Sequence, residues 1–333
     1  MTERALGRGG LWVGPNGFGV APIANLAREV SDESAFEALE AAWSSGVRYY
    51  DTAPHYGVGL GERRLGEFLR TKPREDYILS TKVGRLLVEN LRGVQPDVEG
   101  FAVTTNLMRR RDYSADGVRR SLEDSLDRMG VGFVDVVFVH DPDEHYREAM
   151  EGAFPALNAL RSEGAIASYG AGMNQTAMLA DFVQHTDLDV VMCAGRYTLL
   201  EQGGLADLFP AAVDRNVSVV AAAVFNSGLL ARERPPVEAT YEYGPAPASL
   251  IARVNAIADV CEAHGVPLPA AALQFALGNP AVATVCTGAR SAEQVLRNVA
   301  PADLPIPDEL WADLASRGLI DSNAPVPTRE KTL

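Results

Sequence analysis

Three ionisable side chains stand at the ends of three successive apolar, strand-like runs of this sequence. They are Asp51, Lys82 and His140. The chain has three lysines in all, and only Lys82 follows an apolar run. Because an unpaired ammonium is costly to bury, we expect Lys82 to pair with Asp51. An ion pair that only closes the rim of a sheet is the alternative interpretation.

A tyrosine placed shortly after the first of these residues adds chemistry to the pair. Tyr56 lies in the segment Asp51-Thr-Ala-Pro-His-Tyr56-Gly, whose proline and glycine predict a loop that folds the phenol back over the strand ends. We expect the Lys82 ammonium to lower the phenol pKa, which is ordinarily about 10. His140 can donate a hydrogen bond to a substrate oxygen. The four groups suit proton transfer to an alcohol or carbonyl oxygen while a hydride moves elsewhere.

The elements that position these groups alternate between strand-like and helical patterns. Eight apolar runs, several nearly continuous in Val, Ile and Ala, predict parallel strands buried on both faces. Each is followed by a helical pattern, which is typical of a (β/α)8 TIM barrel. A doubly wound open sheet is the alternative, but no Gly-x-Gly-x-x-Gly follows an early strand. The predicted strands are 17–21, 46–51, 77–82, 134–140, 166–170, 189–193, 217–222 and 282–286.

The chain is predicted to form one barrel domain of α/β class, with a core at about 17–315 and a tail at 316–333. Residues 9–16 predict an N-terminal hairpin that closes the barrel floor. Two long connections, 84–113 and 227–246, exceed ordinary turns, and such loops usually carry function or disorder.

Composition excludes several classes of function. The formal net charge of −14 argues against a nucleic-acid partner, which needs a basic face. No apolar stretch is long enough to predict a membrane span, and the N-terminus lacks the apolar core of a signal peptide. The three cysteines show no metal or redox spacing, so we expect them to be reduced and buried in a cytoplasmic protein. No metal site is predicted.

The order and placement of Asp51, Tyr56, Lys82 and His140 resemble the catalytic tetrad of the aldo-keto reductase superfamily. The resemblance runs from Gly17 to about Asn298. It implies NAD or NADP as cofactor, with Tyr56 as general acid/base, Lys82 tuning its pKa, Asp51 orienting Lys82, and His140 anchoring the carbonyl. A nicotinamide-binding regulatory subunit with little turnover is the alternative of another class.

The resemblance also implies cofactor contacts at the ends of further strands. Arg290 is expected at the 2′-phosphate and adenine because a guanidinium both pairs and stacks, and the helix that follows it offers free N–H groups to phosphate. Phe225 is expected either to stack on the nicotinamide or to pack in the core. The relatives' lysine, serine and arginine are replaced by Gly288, Ala289 and Gln294, so NADP is only weakly favoured over NAD. The expected cofactor residues are Gly19, Asp51, Asn174, Phe225, Asn226, Ser227, Gly228, Leu229, Gly288, Arg290, Gln294 and Asn298.

Segments 112–121, 138–143 and 194–202 resemble the branch that holds D-threo-aldose 1-dehydrogenases, L-fucose dehydrogenases and pyridoxal 4-dehydrogenases. This resemblance implies oxidation of an aldose such as L-fucose at C1. Pyridoxal oxidation and general aldehyde or ketone reduction are the alternatives. The expected partner is a small sugar or aldehyde, and the expected assembly is a monomer or homodimer. The expected substrate contacts are His55, Tyr56, His140 and Arg196; Arg85 and Asp141 are further polar groups near the barrel mouth.

Overall fold

Eight parallel strands close into a barrel in the computed structural model, which describes residues 2–242 and 244–327. Neighbours pair in chain order, and the last strand pairs with the first through Cys286 and Gly17. The predicted (β/α)8 barrel is therefore confirmed and the open sheet is not. The strands are β1 (Asn16–Gly19), β2 (Tyr49–Asp51), β3 (Ile78–Val83), β4 (Val136–His140), β5 (Ser168–Met173), β6 (Val190–Ala194), β7 (Ser218–Ala222) and β8 (Val282–Thr287).

Helices surround the strands and bury their apolar faces against them. One of them, Leu268–Gly278, escaped the sequence analysis because nearly all of its side chains are buried, so it shows no polar face and no amphipathic stripe. Asp308–Ser316 was missed as well. A π-helical turn at Ala149–Ala153 joins two helical segments. The α-helices are Asp32–Ser44, Leu60–Leu69, Ala115–Met129, Tyr146–Glu148, Phe154–Ser162, Thr176–His185, Leu208–Arg215, Ala248–Ala263, Leu268–Gly278, Ala292–Val299 and Asp308–Ser316.

An N-terminal hairpin closes the floor of the barrel, as predicted, although its strands lie earlier than expected, at Arg4–Leu6 and Leu11–Val13. Leu6 and Val13 are buried in a cluster with inward side chains of the barrel, among them Phe138. Burying each such side chain contributes about 1.5–3 kcal/mol. The barrel interior is thus packed at the floor, and the C-terminal strand ends lie at its other end, which we call the mouth.

The connection after β3 is ordered rather than loose. Arg85–Glu89 pairs antiparallel with Leu107–Arg111, and we call residues 85–111 the ribbon. The ribbon folds back on the segment after β1, where Ala27 N–H donates to Gly100 O over 2.8 Å. The ribbon therefore forms part of the wall around the mouth.

The second long connection contains short strands at Thr240–Tyr241 and Gly244–Pro245.

Cys193, Cys261 and Cys286 are free and buried, as predicted. The tail beyond 316 lies along the surface as far as 327, where Pro325 O accepts a hydrogen bond from Tyr197 at 3.4 Å. The remainder of the predicted tail, 328–333, is outside the described residues. Of the helices in the described part of the chain, none has the length and apolarity to cross a membrane.

Candidate active site

The predicted ion pair lies at the barrel mouth. Asp51 ends β2, Lys82 stands next to last in β3, and each is 2% exposed. Lys82 Nζ donates to Asp51 Oδ2 at 2.6 Å and to Thr52 O at 3.0 Å, and Ser80 donates to the other carboxylate oxygen at 2.8 Å. Burial opposes the ammonium charge, but Asp51 and Tyr56 together outweigh burial and raise the pKa of Lys82. The cation is therefore permanent and fixed in position.

Tyr56 lies over this cation on the loop after β2. The Lys82 Nζ atom is 4.7 Å from the centroid of the Tyr56 ring. Burial raises the pKa of Tyr56 to about 12, while Lys82 lowers it and Asp51 raises it. The predicted direction of the Lys82 effect is correct, but the predicted net result is wrong, because removal of the phenol from water outweighs the ammonium. At neutral pH the phenol holds its proton.

His140 ends β4, and its ring stands at 85° to that of Tyr56 with 5.8 Å between centroids. Burial, followed by the charges of Arg85 and Lys82, holds the pKa of His140 well below its usual range. The ring is therefore neutral. Its Nε2 lies 3.4 Å from Asp141 Oδ2, while its buried Nδ1 has no partner among the described residues. A proton on Nε2 faces the carboxylate and suits His140 as a hydrogen-bond donor.

Three further polar side chains, His55, Arg85 and Asp141, stand next to this histidine, and we call them the polar rim. Arg85 contacts His55 Nδ1 at 3.1 Å and donates to Asp141 Oδ2 at 2.6 Å. Burial, with Arg85 and Arg109, lowers the pKa of His55 to about 2. Since arginine can only donate, His55 Nδ1 accepts and Nε2 carries the proton. The polar rim thus offers both a donor and a carboxylate at the mouth.

Arg196, expected to contact substrate, is occupied elsewhere. Its guanidinium donates to Glu201 at 3.0 Å and to Tyr241 at 3.1 Å, and it also pairs with Glu242. These bonds anchor the second long connection against the segment after β6. The geometry therefore gives Arg196 a structural role.

The ribbon brings residues to the mouth that sequence reasoning missed. Phe101 is buried and packs edge-on against His55, with 5.1 Å between ring centroids. Arg109, paired with Asp97, donates to His55 O at 2.8 Å, and the two charged side chains are 4% and 5% exposed. The one available signal was the length of the connection, because the partners in the ribbon are distant in sequence.

The residues expected to hold a cofactor surround the same mouth. Gly19 ends β1, and Asn174 follows β5 with its side chain exposed. Phe225 is half-buried against the core, which leaves both of its predicted roles open. It begins the turn 225–229, where Asn226 and Ser227 have φ of 44° and 57° and the buried Oδ1 of Asn226 has no partner in the described chain.

The turn after β8 fits an anionic group. Gln294 Oε1 accepts from Arg290 N–H at 2.9 Å and Asn298 donates to Gly288 O at 3.3 Å, so both side chains shape the turn. Arg290 donates to Leu26 O at 3.0 Å, and its buried Nε has no partner in the described part of the chain. A Cβ at Gly288 would lie 2.5 Å from a proline carbon, which explains the glycine.

Arg28 lies close enough for its charge to act on Arg290. Burial, and then the charge of Arg28, lowers the pKa of Arg290. Within the described ranges neither guanidinium is paired with a carboxylate, unlike most arginines of this chain. Two arginines that have no carboxylate partner and lie near a helix N-terminus suit a phosphate group. The residues present therefore fit a phosphorylated cofactor.

Comparison with known proteins identifies the family. Residues 17–317 match the model of the aldo/keto reductase family, and the chain belongs to it. It is 45% identical to D-threo-aldose 1-dehydrogenase of Pseudomonas sp (96% of this chain, 98% of the relative) and 42% identical to pyridoxal 4-dehydrogenase of Microbacterium luteolum (96% and 98%). The holo form of aldo-keto reductase AKR11C1 from Bacillus halodurans superimposes with a TM-score of 0.76 at 25% identity, covering 99% of both chains. The protein is therefore an oxidoreductase that uses NAD(P).

Proposed function

We propose that this protein oxidises an aldose at C1, converting the cyclic hemiacetal to a lactone with NAD or NADP. The observation that carries the proposal is the 45% identity with a D-threo-aldose 1-dehydrogenase over 96% of the chain. The polar rim of His55, Arg85 and Asp141 beside the catalytic groups supports a hydroxylated substrate over an apolar one.

In this proposal the four groups at the mouth divide the work. Tyr56 exchanges a proton with the oxygen on C1, and His140 donates a hydrogen bond from Nε2 to the same oxygen. Lys82 stabilises the phenolate that oxidation requires, since its ammonium lies 4.7 Å from the ring centroid. Asp51 holds Lys82 in place through the 2.6 Å bond. Bound NAD(P) would supply the acceptor for the hydride that leaves C1.

We also propose which residues hold the cofactor. Arg290 and Arg28 would bind the phosphate at its adenosine end. The turn 225–229 would lie against the pyrophosphate, with the exposed Ser227 on its surface. Asn174 would bond the nicotinamide amide, and the remaining positions after β1 and β8, Gly19, Gly288, Gln294 and Asn298, would shape the surface beneath the cofactor.

A second candidate is oxidation of pyridoxal, which the 42% identity with a pyridoxal 4-dehydrogenase favours. Pyridoxal is flat and aromatic, and Phe101 and Tyr56, with 6.2 Å between ring centroids, offer an aromatic wall on one side of the mouth.

Steady-state kinetics with purified protein test the proposal. NAD or NADP is combined with L-fucose, D-arabinose, D-glucose or pyridoxal, and formation of the reduced nicotinamide is followed by absorbance. We expect at least one aldose to exceed pyridoxal in kcat/KM by about tenfold or more. Turnover of pyridoxal with no aldose would establish the second candidate. Reduction of simple aldehydes without oxidation of either class would overturn both.

A further inference from the structure

We propose that Asp141 is a specificity-determining residue that accepts a hydrogen bond from the substrate hydroxyl on the carbon next to the reacting carbon. The ligand class is therefore a 2-hydroxy aldehyde in its cyclic form, that is, an aldose with its C2 hydroxyl intact. This inference rests on the proposed function and names the substrate group that the site recognises.

The backbone of Asp141 has an unusual conformation, and hydrogen bonds to neighbouring strands and loops hold it in place. Its φ is 42°, in the left-handed region that non-glycine residues rarely adopt. Its N–H donates to Gly172 O at 3.1 Å, and its carbonyl accepts from Tyr113 Oη at 3.0 Å. Such a conformation is strained and persists where the surroundings impose it, typically at functional sites.

Only one of the two oxygens of the Asp141 carboxylate has a partner in the described chain. Its Oδ2 accepts from Arg85 at 2.6 Å and lies 3.4 Å from His140 Nε2. Its Oδ1 bonds to no other group of the described chain, and the side chain is 34% exposed. The buried Arg85, itself 8% exposed, fixes the carboxylate from behind. A carboxylate that is positioned by an arginine and keeps one oxygen open is a preorganised acceptor for a hydroxyl proton.

The neighbouring catalytic groups define which hydroxyl reaches this oxygen. A substrate oxygen bonded to His140 Nε2 would lie about 2.9 Å from that nitrogen, and Asp141 is the next residue along the mouth. The hydroxyl one carbon away from the reacting carbon is then the nearest one to Asp141. On the other side of Arg85, His55 offers the donor Nε2–H to the oxygen of the same or the following hydroxyl.

The test compares three substrates with the variant Asp141→Asn, which keeps the shape of the side chain and removes its charge. The substrates are the best aldose, its 2-deoxy analogue and butanal, the last followed as reduction. We expect the wild-type protein to lose about 10- to 100-fold in kcat/KM on going from the aldose to the 2-deoxy analogue. In Asp141→Asn most of that difference should disappear, mainly through KM, and butanal, which has no 2-hydroxyl group, should lose no more than the 2-deoxy analogue.

Glu144→Gln provides the matched control, because it removes one exposed carboxylate from the same loop and should leave all three substrates unaffected. Equal loss of activity of Asp141→Asn with aldose and butanal would overturn the proposal, because Asp141 would then act through His140. Failure of the wild-type protein to distinguish the aldose from its 2-deoxy analogue would also overturn it, whether or not the variant folds. If the wild-type protein oxidised no aldose, the proposed function would fail together with this inference.

Discussion

Aspartates lie at both ends of the barrel, and the two ends use them differently. Asp189 precedes β6 at the floor, and both of its oxygens are occupied: Arg161 contacts them at 2.7 and 2.8 Å, Arg8 at 3.1 Å and Tyr169 N–H at 3.2 Å. Asp141 follows β4 at the mouth, where one oxygen is bound and the other is open. An aspartate at the floor therefore has hydrogen-bond partners for both carboxylate oxygens, whereas an aspartate at the mouth has a partner for only one.

A second aspartate at the floor is also bound by an arginine and a backbone N–H. At the floor, Asp135 Oδ2 accepts from Arg74 at 2.6 Å and from Leu79 N–H at 2.7 Å. At the mouth, His140 Nδ1 and Asn226 Oδ1 are buried without a partner in the described chain. Buried atoms without a partner in the described chain also occur at the floor, at Arg74 Nε and Ser168 Oγ, so the contrast between the two ends holds for the two aspartates compared above and not for every polar group. For that pair of aspartates, the direction of the strand, more than the type of residue, thus separates the stabilising group from the one with an open oxygen.

The largest expected effect at the mouth follows from Tyr56→Phe. Removing the phenol hydroxyl deletes the proposed proton carrier and should lower kcat/KM by about 10²- to 10⁴-fold. The Lys82–Asp51 pair remains, so cofactor affinity, measured by fluorescence titration, should stay unchanged. Tyr146→Phe is the control, since that ring is exposed on the surface. Turnover close to that of the wild-type protein would exclude Tyr56 from the chemistry.

At the floor we expect a change in stability without a change in chemistry. Asp189→Ala leaves Arg161 without its buried partner and Tyr169 N–H unbonded, and should lower the free energy of unfolding by about 2–3 kcal/mol. The kcat of the folded protein should not change. Asp187→Ala removes a 59% exposed partner of the same arginines and should cost less than about 1 kcal/mol. Urea titration measures both; a fall in kcat for Asp189→Ala would contradict the division between the ends.

Arg290, which follows β8 and has no carboxylate partner in the described chain, predicts a moderate effect. Arg290→Ala should raise the Kd for NADPH by about tenfold and the Kd for NADH by less than about threefold, because only NADPH carries the 2′-phosphate. Arg297→Ala, an exposed arginine on the following helix that pairs with Glu293, is the matched control. Equal losses for both cofactors would show that Arg290 makes no contact with that phosphate.

The sequence was sufficient to predict the barrel and to bring Asp51, Lys82 and His140 to one end, because parallel strands of alternating units have a common direction. The position of Tyr56 at the mouth was predicted from the proline and glycine of the loop that carries it. Other features depend on contacts between distant residues. The ribbon packs Phe101 onto His55 only after its two strands pair. The left-handed backbone of Asp141 leaves no pattern in the sequence, since it is imposed by Gly172 and Tyr113.

The pKa of Tyr56 shows why composition and spacing do not settle the chemistry. Spacing indicated correctly that Lys82 acts on the phenol. The net value also depends on how completely the ring is removed from water, and burial outweighs the ammonium. Likewise, Arg196 has a residue type and position that suit a substrate contact, but Glu201 and Tyr241 occupy its donors.

The smallest expected effect concerns pH. Burial and neighbouring arginines lower the pKa of His55 to about 2 and hold that of His140 well below its usual range, while burial raises the pKa of Tyr56 to about 12. Between pH 6 and 8 both rings therefore stay neutral and the phenol stays protonated, which is the form that donates a proton to a carbonyl oxygen. The kcat/KM for carbonyl reduction should then change by less than about twofold over this range.

Oxidation needs the phenolate, so its rate should rise with pH. Initial rates in both directions over this range measure the difference, and a reduction rate that falls through a titration near pH 6.5 would mean that a histidine at the mouth carries charge despite its burial.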